Sequence, residues 1–196
     1  MQRIRIKYKK GGGLVFIGHL DMIRLWERAV RRGELPVAYS QGYNPRQKLA
    51  FGPPLPLGMA SDCEYLDIFL EKWASAEKVK ADLELTLMPG IEILGVTSVF
   101  SGMPSISSSI KTAVYEIKTV KDPSKKAQEI LSTNSIIVVR KENQMDIRPM
   151  IKKIGFSGNT VNIEVRCDNS GSIKGSELKG LFKETGIASI KRTNLF

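Results

Sequence analysis

The feature that most constrains the fold is a strict alternation at the start of the chain. Apolar side chains occupy every second position there: Ile4, Ile6 and Tyr8. Cationic side chains occupy the positions on either side: Arg3, Arg5, Lys7 and Lys9. Because successive side chains of a strand point to opposite faces of its sheet, this period of two predicts a strand with one buried and one cationic face. The chain must therefore build a sheet and cover one side of it.

An amphipathic helix is predicted over residues 20–32. Apolar residues recur there at helical spacing and indicate a buried stripe: Met22, Ile23, Trp26, Ala29 and Val30. Arginines on the opposite face share the spacing i, i+4, i+7 and i+8: Arg24, Arg28, Arg31 and Arg32. Gly33 and then Pro36 end the helix. Like charges on one face repel unless solvated or neutralised by an anion, so this face is either a phosphate-contacting surface or a solvated one.

The remaining patterns predict a β-α-β-β-α-β order in the first half. After the first strand and helix, strands are expected at 37–40, 65–71 and 91–99, with a brief returning strand at 48–51 and a second helix over 75–87. The second half repeats the theme, with strands at 114–120, 136–140, 160–166 and 187–193 and with helices capped by Asp122-Pro123 and by Ser176. We therefore expect an α+β chain of two tandem ferredoxin-like (βαββαβ) domains with antiparallel sheets, residues 1–100 and 112–196. The Ser- and Gly-rich segment 101–111 is predicted to be a linker.

Positive charge is concentrated near the start of the sequence. The net charge is +10, and residues 1–50 contain eleven lysines and arginines against three acidic residues. A localised basic field favours a polyanion such as RNA, through steering and counterion release. The alternative is a basic surface without a specific ligand.

Composition also sets the expected compartment and cofactors. No run of eighteen apolar residues occurs, and the N-terminal residues lack an apolar signal core, so we expect no membrane span and a cytoplasmic protein. Cys63 and Cys167 stand alone, without metal-ligand spacing. We expect no metal and no cofactor.

A polar turn follows the predicted helix and is the second candidate for function. Tyr43 and Asn44 stand beside Arg46 and Lys48. An aromatic ring can stack on a base, Asn can hydrogen-bond to a base edge, and the cations can meet phosphates. The alternative is a structural turn in which Tyr43 packs on the proline-rich segment that follows.

His19 is the only histidine and the only candidate for acid–base catalysis. A metal-independent ribonuclease could use it as general acid or base, assisted by Tyr39, Tyr43 or an arginine. A lone histidine before a helix is more often a capping or loop-packing residue. The sequence therefore favours a non-enzymatic protein and leaves His19 as a catalytic candidate.

Several motifs, taken together, resemble the radical-SAM-linked protein family, a domain of unknown function (DUF2344). They are His19-Leu20-Asp21-x-x-Arg24, Glu27-Arg28-Ala29-x-Arg31-Arg32, Leu35-Pro36, Tyr39-Ser40-x-Gly42-Tyr43-Asn44-Pro45, Leu55-Pro56-Leu57-Gly58, Glu64-Tyr65 and Asp146-Ile147-Arg148-Pro149. The resemblance implies a partner enzyme that carries a radical-SAM cluster. More loosely, the inferred architecture and His19 are similar to those of CRISPR-repeat-processing endoribonucleases.

The leading hypothesis is a non-catalytic RNA-binding or substrate-presenting partner of a radical-SAM enzyme, in tRNA or rRNA modification. Its expected nucleic-acid contacts are Arg3, Arg5, Arg24, Arg28, Arg31, Arg32, Tyr43, Asn44, Arg46 and Lys48. One alternative is a metal-independent endoribonuclease that uses His19. The other is a protein-only adaptor whose basic face docks on an acidic surface of the enzyme.

Overall fold

The computed structural model describes residues 1–100, 102–168 and 171–196, which form two compact units, Met1–Ser109 and Ile110–Phe196. Both units combine helices with antiparallel strands. No helix in the described part of the chain is long and apolar enough to cross a bilayer.

The first unit contains the predicted β-α-β-β-α-β order. Its elements are β1 (Gln2–Lys10), α1 (His19–Arg32), β2 (Leu49–Phe51), β3 (Ala60–Leu70), α2 (Ala76–Glu84), β4 (Ile91–Val99) and a short α3 (Ile106–Ser109). The strands pair antiparallel in the order β4-β1-β3-β2. A 3-10 turn over Gly12–Phe16 joins β1 to α1.

The core of this unit lies between the sheet and its helices. The alternation of β1 is confirmed, because Ile4, Ile6 and Tyr8 are all buried. The ring of Tyr8 meets the fully buried Trp26 of α1 edge-on, with 4.9 Å between ring centroids. The buried stripe of α1 also contains Leu25, whereas Ile23, predicted to be in the core, is only half-buried.

Three boundaries in the first unit differ from the prediction. Instead of a strand over 37–40 there are two isolated bridges, Val37 with Leu70 and Tyr39 with Gln47, because the chain leaves the sheet edge to form a loop. β3 begins earlier than predicted, at Ala60. α2 ends at Glu84, and one further turn is closed beyond it, because the amide of Leu87 donates to the carbonyl of Leu83 at 3.0 Å.

The predicted linker over 101–111 contains regular structure. Ser101 lies outside the described residues, but α3 falls within the segment and contacts β2 and β3. Ile106 of this helix is buried. Part of this segment therefore packs onto the sheet of the first unit.

The second unit is richer in strands than predicted. Its elements are β5 (Thr112–Thr119), α4 (Ser124–Ser132), β6 (Ile137–Arg140), β7 (Asn143–Asp146), β8 (Ile151–Ser157), β9 (Thr160–Asp168), β10 (Gly171–Ser172), α5 (Gly175–Leu181) and β11 (Ile187–Leu195). The order β8-β9-β5-β11 is antiparallel throughout, and β6 forms a separate hairpin with β7.

Two local predictions in the second unit are wrong. No strand is predicted between 136–140 and 160–166, yet that stretch holds β7 and β8. α5 begins at Gly175, and the carboxylate of Glu177 accepts a hydrogen bond from the Lys174 amide at 2.7 Å, so Ser176 lies inside the helix and does not cap it. The tandem ferredoxin-like arrangement stays a prediction.

Candidate nucleic-acid interface

The exposed face of α1 carries the four arginines that its spacing predicts. Arg24, Arg28, Arg31 and Arg32 are all exposed. Arg24 donates to Asp21 at 3.1 Å, in an exposed pair that contributes little to stability. Among the described residues, the other three arginines form no ion pair. This face therefore keeps most of its positive charge available.

The loop between α1 and β2 is fastened at its base. The Ser40 amide donates to the Arg46 carbonyl at 2.8 Å, and the Arg46 amide donates to the Ser40 hydroxyl at 3.0 Å. Gly42 has a φ of 129°, a conformation that side chains disfavour, and this allows the turn. Tyr43 at the tip is fully exposed and does not pack on the proline-rich segment.

Helix and loop enclose a groove of about 360 Å³. α1 contributes one wall: Leu20, Ile23, Arg24, Glu27 and Arg31. The loop contributes the other: Tyr39, Pro45, Arg46 and Gln47. The structure thus brings three of the predicted contact residues, Arg24, Arg31 and Arg46, to one concave surface. Like charges placed this close are stabilised by an anion between them.

Two polar side chains that line the groove have acceptor oxygens without a partner among the described residues. Glu27 forms no ion pair within the part of the chain that the structure describes. The side-chain oxygen of Gln47 is buried and accepts no hydrogen bond there either. A groove that combines cations with unused acceptors suits a ligand with both phosphates and N–H groups.

Other predicted contact residues on the loop and helix lie outside the groove. Arg28 and Arg32 are exposed elsewhere on α1, and Tyr43 and Asn44 project at the loop tip. Lys48 is half-buried, and its backbone ties the loop to the sheet: its amide donates to Ala38 and its carbonyl accepts from Phe69. These residues could extend an interface beyond the groove, but they do not form its walls.

Arg3 and Arg5 are separated from the groove by the sheet. They lie on the face of β1 opposite to the buried side chains that meet α1. Arg5 donates two hydrogen bonds to Asp67, at 2.7 and 2.9 Å, and this contact raises the pKa of the guanidinium. Arg3 approaches the same carboxylate at 3.9 Å and donates to the Met103 carbonyl. Both are therefore engaged within the protein.

His19 lies in a different environment from the arginines. It borders a cavity of about 20 Å³, large enough for one water, which Lys10 and Glu64 also line. Its ring meets Phe51 edge-on, with 5.8 Å between centroids. Burial lowers the pKa of His19; the Glu64 carboxylate opposes this shift and the Lys10 ammonium adds to it. The imidazole is therefore mainly neutral at pH 7.

The structure does not bring His19 together with the tyrosines expected to assist it. Tyr39 lines the groove and Tyr43 is exposed at the loop tip, and neither lines the His19 cavity.

Across residues 1–100, 102–168 and 171–196, no three His, Cys, Asp or Glu side chains are grouped so as to hold a metal ion.

Several residues around these two sites were not predicted. Gln47 and Leu20 line the groove, and Lys10 and Glu64 line the His19 cavity. A signal existed for Lys10, because it continues the period of Ile4, Ile6 and Tyr8 and so falls on the apolar face of β1. There it is 4% exposed, and its ammonium donates to the Ile17 carbonyl at 3.0 Å. Gln47 had no such signal, since its place depends on the path of the loop.

The comparison with solved structures found low similarity. The chain aligns with one chain of an H/ACA RNP bound to a substrate RNA containing 2′-deoxyuridine, with 11% identity and a TM-score of 0.45. The alignment covers 99% of this chain and 47% of the other, so the protein spans about half the length of that chain. No curated protein matches the sequence.

A family model gives the decisive match. It covers residues 3–175, which include α1, the groove and all the motifs that suggested a family resemblance. The family is described as an uncharacterised protein conserved in bacteria, and a match over so much of the sequence identifies membership. The chain therefore belongs to the DUF2344 family.

Proposed function

We propose that this protein binds RNA through the groove between α1 and the loop, without catalysing a reaction on it. The observation that supports this most is the position of Arg24, Arg31 and Arg46 around one concave surface. Of these three arginines, only Arg24 has an acidic partner among the described residues, and that pair is exposed. Guanidinium groups suit phosphates because they offer several donors in a fixed planar arrangement.

Aromatic side chains beside the arginines favour a nucleic acid over a simple anion. Tyr39 lines the groove and is 44% exposed, and Tyr43 is fully exposed a few residues along the same loop. Exposed tyrosines next to arginines can stack on bases while the cations hold the phosphates. A free phosphate or an acidic peptide would leave these rings unused.

The test compares two double variants with the same change in charge. Arg31→Gln with Arg46→Gln removes two cations that line the groove, whereas Arg28→Gln with Arg32→Gln removes two exposed cations of α1 outside it. We expect the groove variant to bind single-stranded RNA about tenfold more weakly. The slope of log affinity against log salt concentration should become less negative by about 1.4, because each phosphate that the variant no longer neutralises contributes about 0.7. The control should keep most of its affinity.

Equal losses in the two variants would mean that RNA binding follows the total charge of the protein and not the groove. Absence of salt-dependent binding in the wild type would refute the proposed function altogether. Fluorescence anisotropy at several salt concentrations measures both quantities on the same samples.

We also propose that the protein presents its RNA to a radical-SAM enzyme that acts on tRNA or rRNA. The support for this partner is the resemblance of the motifs around α1 and the loop to the radical-SAM-linked family. Co-purification with and without nuclease treatment tests the proposal. A complex that needs RNA supports presentation of a substrate, whereas a complex that survives nuclease supports the protein-only adaptor.

For the architecture, we propose two tandem ferredoxin-like domains, residues 1–100 and 112–196, joined by the segment 101–111. The support is that both units repeat one antiparallel order, β4-β1-β3-β2 in the first and β11-β5-β9-β8 in the second. In each, the first strand of the unit pairs with its last. A fragment of residues 1–109 should unfold in urea in a single transition. A fragment that fails to fold would contradict independent domains.

A further inference from the structure

The groove contains a carboxylate that a site for phosphate alone would exclude. Glu27 lines the same surface as Arg24, Arg31 and Arg46, yet within the described residues it pairs with none of them. A carboxylate repels a nearby phosphate, and this repulsion is strongest where water is partly excluded. Glu27 therefore weakens the binding of any ligand that offers only negative charge. It can favour a ligand that also carries hydrogen-bond donors.

The opposite wall supplies a second acceptor. The side-chain oxygen of Gln47 is buried and has no hydrogen-bond partner among the described residues. A buried acceptor without a partner is unfavourable and is usually satisfied by water or a ligand. A turn of the Gln47 amide towards the groove would relieve this and would place a second acceptor, on the loop, opposite the Glu27 carboxylate on the helix.

An exocyclic amino group of a nucleobase has the matching chemistry, because its two N–H bonds can donate to two acceptors. Cytosine and adenine carry such a group, and uracil does not; carboxylates are known to accept from the amino group of cytosine. We infer that the groove selects an unpaired, amino-bearing nucleobase, with Glu27 and Gln47 accepting from its amino group. This inference rests on the proposed RNA-binding function and assigns its substrate class.

The rest of the groove suits the faces of such a base. Leu20, Ile23 and Tyr39 provide apolar and aromatic surface. Arg24, Arg31 and Arg46 line the same groove and can bind the flanking phosphates. Its volume of about 360 Å³ is at the lower end of the usual range for small-ligand sites. The base must be unpaired, because in a duplex its amino group is already engaged with the complementary strand.

The test compares oligocytidine with oligouridine, each of about twelve nucleotides. The two have the same length, backbone charge and ring size, and differ at one edge of the base: cytosine carries the amino group beside an N3 acceptor, whereas uracil carries a carbonyl oxygen beside an N3–H donor. The wild type should bind oligocytidine about tenfold more tightly. In Glu27→Gln the ratio of the two affinities should fall towards one, mainly because oligouridine binds more tightly. The carboxylate no longer repels the carbonyl oxygen of uracil, and an amide can form a hydrogen bond with either base.

Glu77→Gln is the matched control, since Glu77 is exposed on α2 and its loss changes the net charge equally. It should leave the preference unchanged. The inference would be overturned if the wild type bound both oligonucleotides equally, or if Glu27→Gln raised the affinity for both equally. In either case, salt-dependent binding of RNA would still support the proposed function. If no RNA binds at any salt concentration, the proposed function fails and the inference fails with it.

Discussion

Replacing Arg5 by glutamine should destabilise the first unit without weakening RNA binding. Arg5 stood among the expected nucleic-acid contacts, yet its guanidinium donates two hydrogen bonds to Asp67. Asp67 is fully buried, whereas the Arg5 side chain is 17% exposed. Removal of the guanidinium therefore leaves a carboxylate without its main partner in a place that water does not reach.

The size of the effect follows from this geometry. Removing one partner of a buried ion pair costs about 3–5 kcal/mol. Here Arg3 remains 3.9 Å from the carboxylate, and the new amide can donate one hydrogen bond, so the loss should be smaller, about 2–3 kcal/mol. Adding Asp67→Asn removes the uncompensated charge and should restore part of the loss, so the two changes are not additive.

Tryptophan fluorescence isolates this unit, because both tryptophans of the chain, Trp26 and Trp73, lie within Met1–Ser109. With a loss of about 2–3 kcal/mol and a denaturant slope of about 1–3 kcal/mol per molar urea, the unfolding midpoint should fall by about 0.7–3 M. RNA affinity, measured without urea where the variant is folded, should stay unchanged. An unchanged midpoint, or a loss of affinity like that expected for the groove variant, would refute the assignment of Arg5 to a structural role.

Three further predictions concern stability. Burial lowers the pKa of His19 below its ordinary 6.5, so the unfolded chain binds a proton more readily than the folded one. The free energy of unfolding of the wild type should therefore fall as the pH drops below about 6.5, and urea titrations at several pH values should show that His19→Gln lacks this part of the pH dependence. Gly90→Ala should lower the free energy of unfolding by about 1–3 kcal/mol, since φ is +104° and the new Cβ would lie 2.7 Å from a carbonyl oxygen. Thermal unfolding measures the loss, and Gly95→Ala, which has open space around its new Cβ, is the control. Arg140→Met should destabilise the second unit by about 2 kcal/mol, because Glu177 loses two hydrogen bonds; circular dichroism should detect it, and an unchanged unfolding curve would contradict it.

The elements predicted best are those whose signal is local. β1 and α1 follow from the period of their apolar residues, because each buries one face against a single layer. β8 lacks that signal. Its buried residues Ile151 and Ile154 are three apart, and its register with β9 shifts between Ile151 and Lys153, so the strand does not alternate as a regular one does.

The candidate site was predictable only in part, for a related reason. Helical spacing alone places Arg24 and Arg31 on one face of α1. Their meeting with Arg46 depends on the path of the loop, and the pairing of Arg5 with Asp67 joins residues 62 positions apart. Neither contact leaves a pattern in the local sequence. Charge composition therefore overestimated how many cations are available to a ligand.

The fastening of the loop at Ser40 and Arg46 makes its tip a modular part of the protein. Residues 41–44 lie beyond these hydrogen bonds and are all exposed, so an exchange of the tip for a different sequence would leave Arg46 and Tyr39 in place. Under the proposed function, contacts with RNA outside the groove could thus change by replacement of a few residues at the tip. For the same reason, a fluorophore at the position of Gln41, which is exposed at the tip and is not a proposed contact, would test the proposed RNA binding without altering the groove.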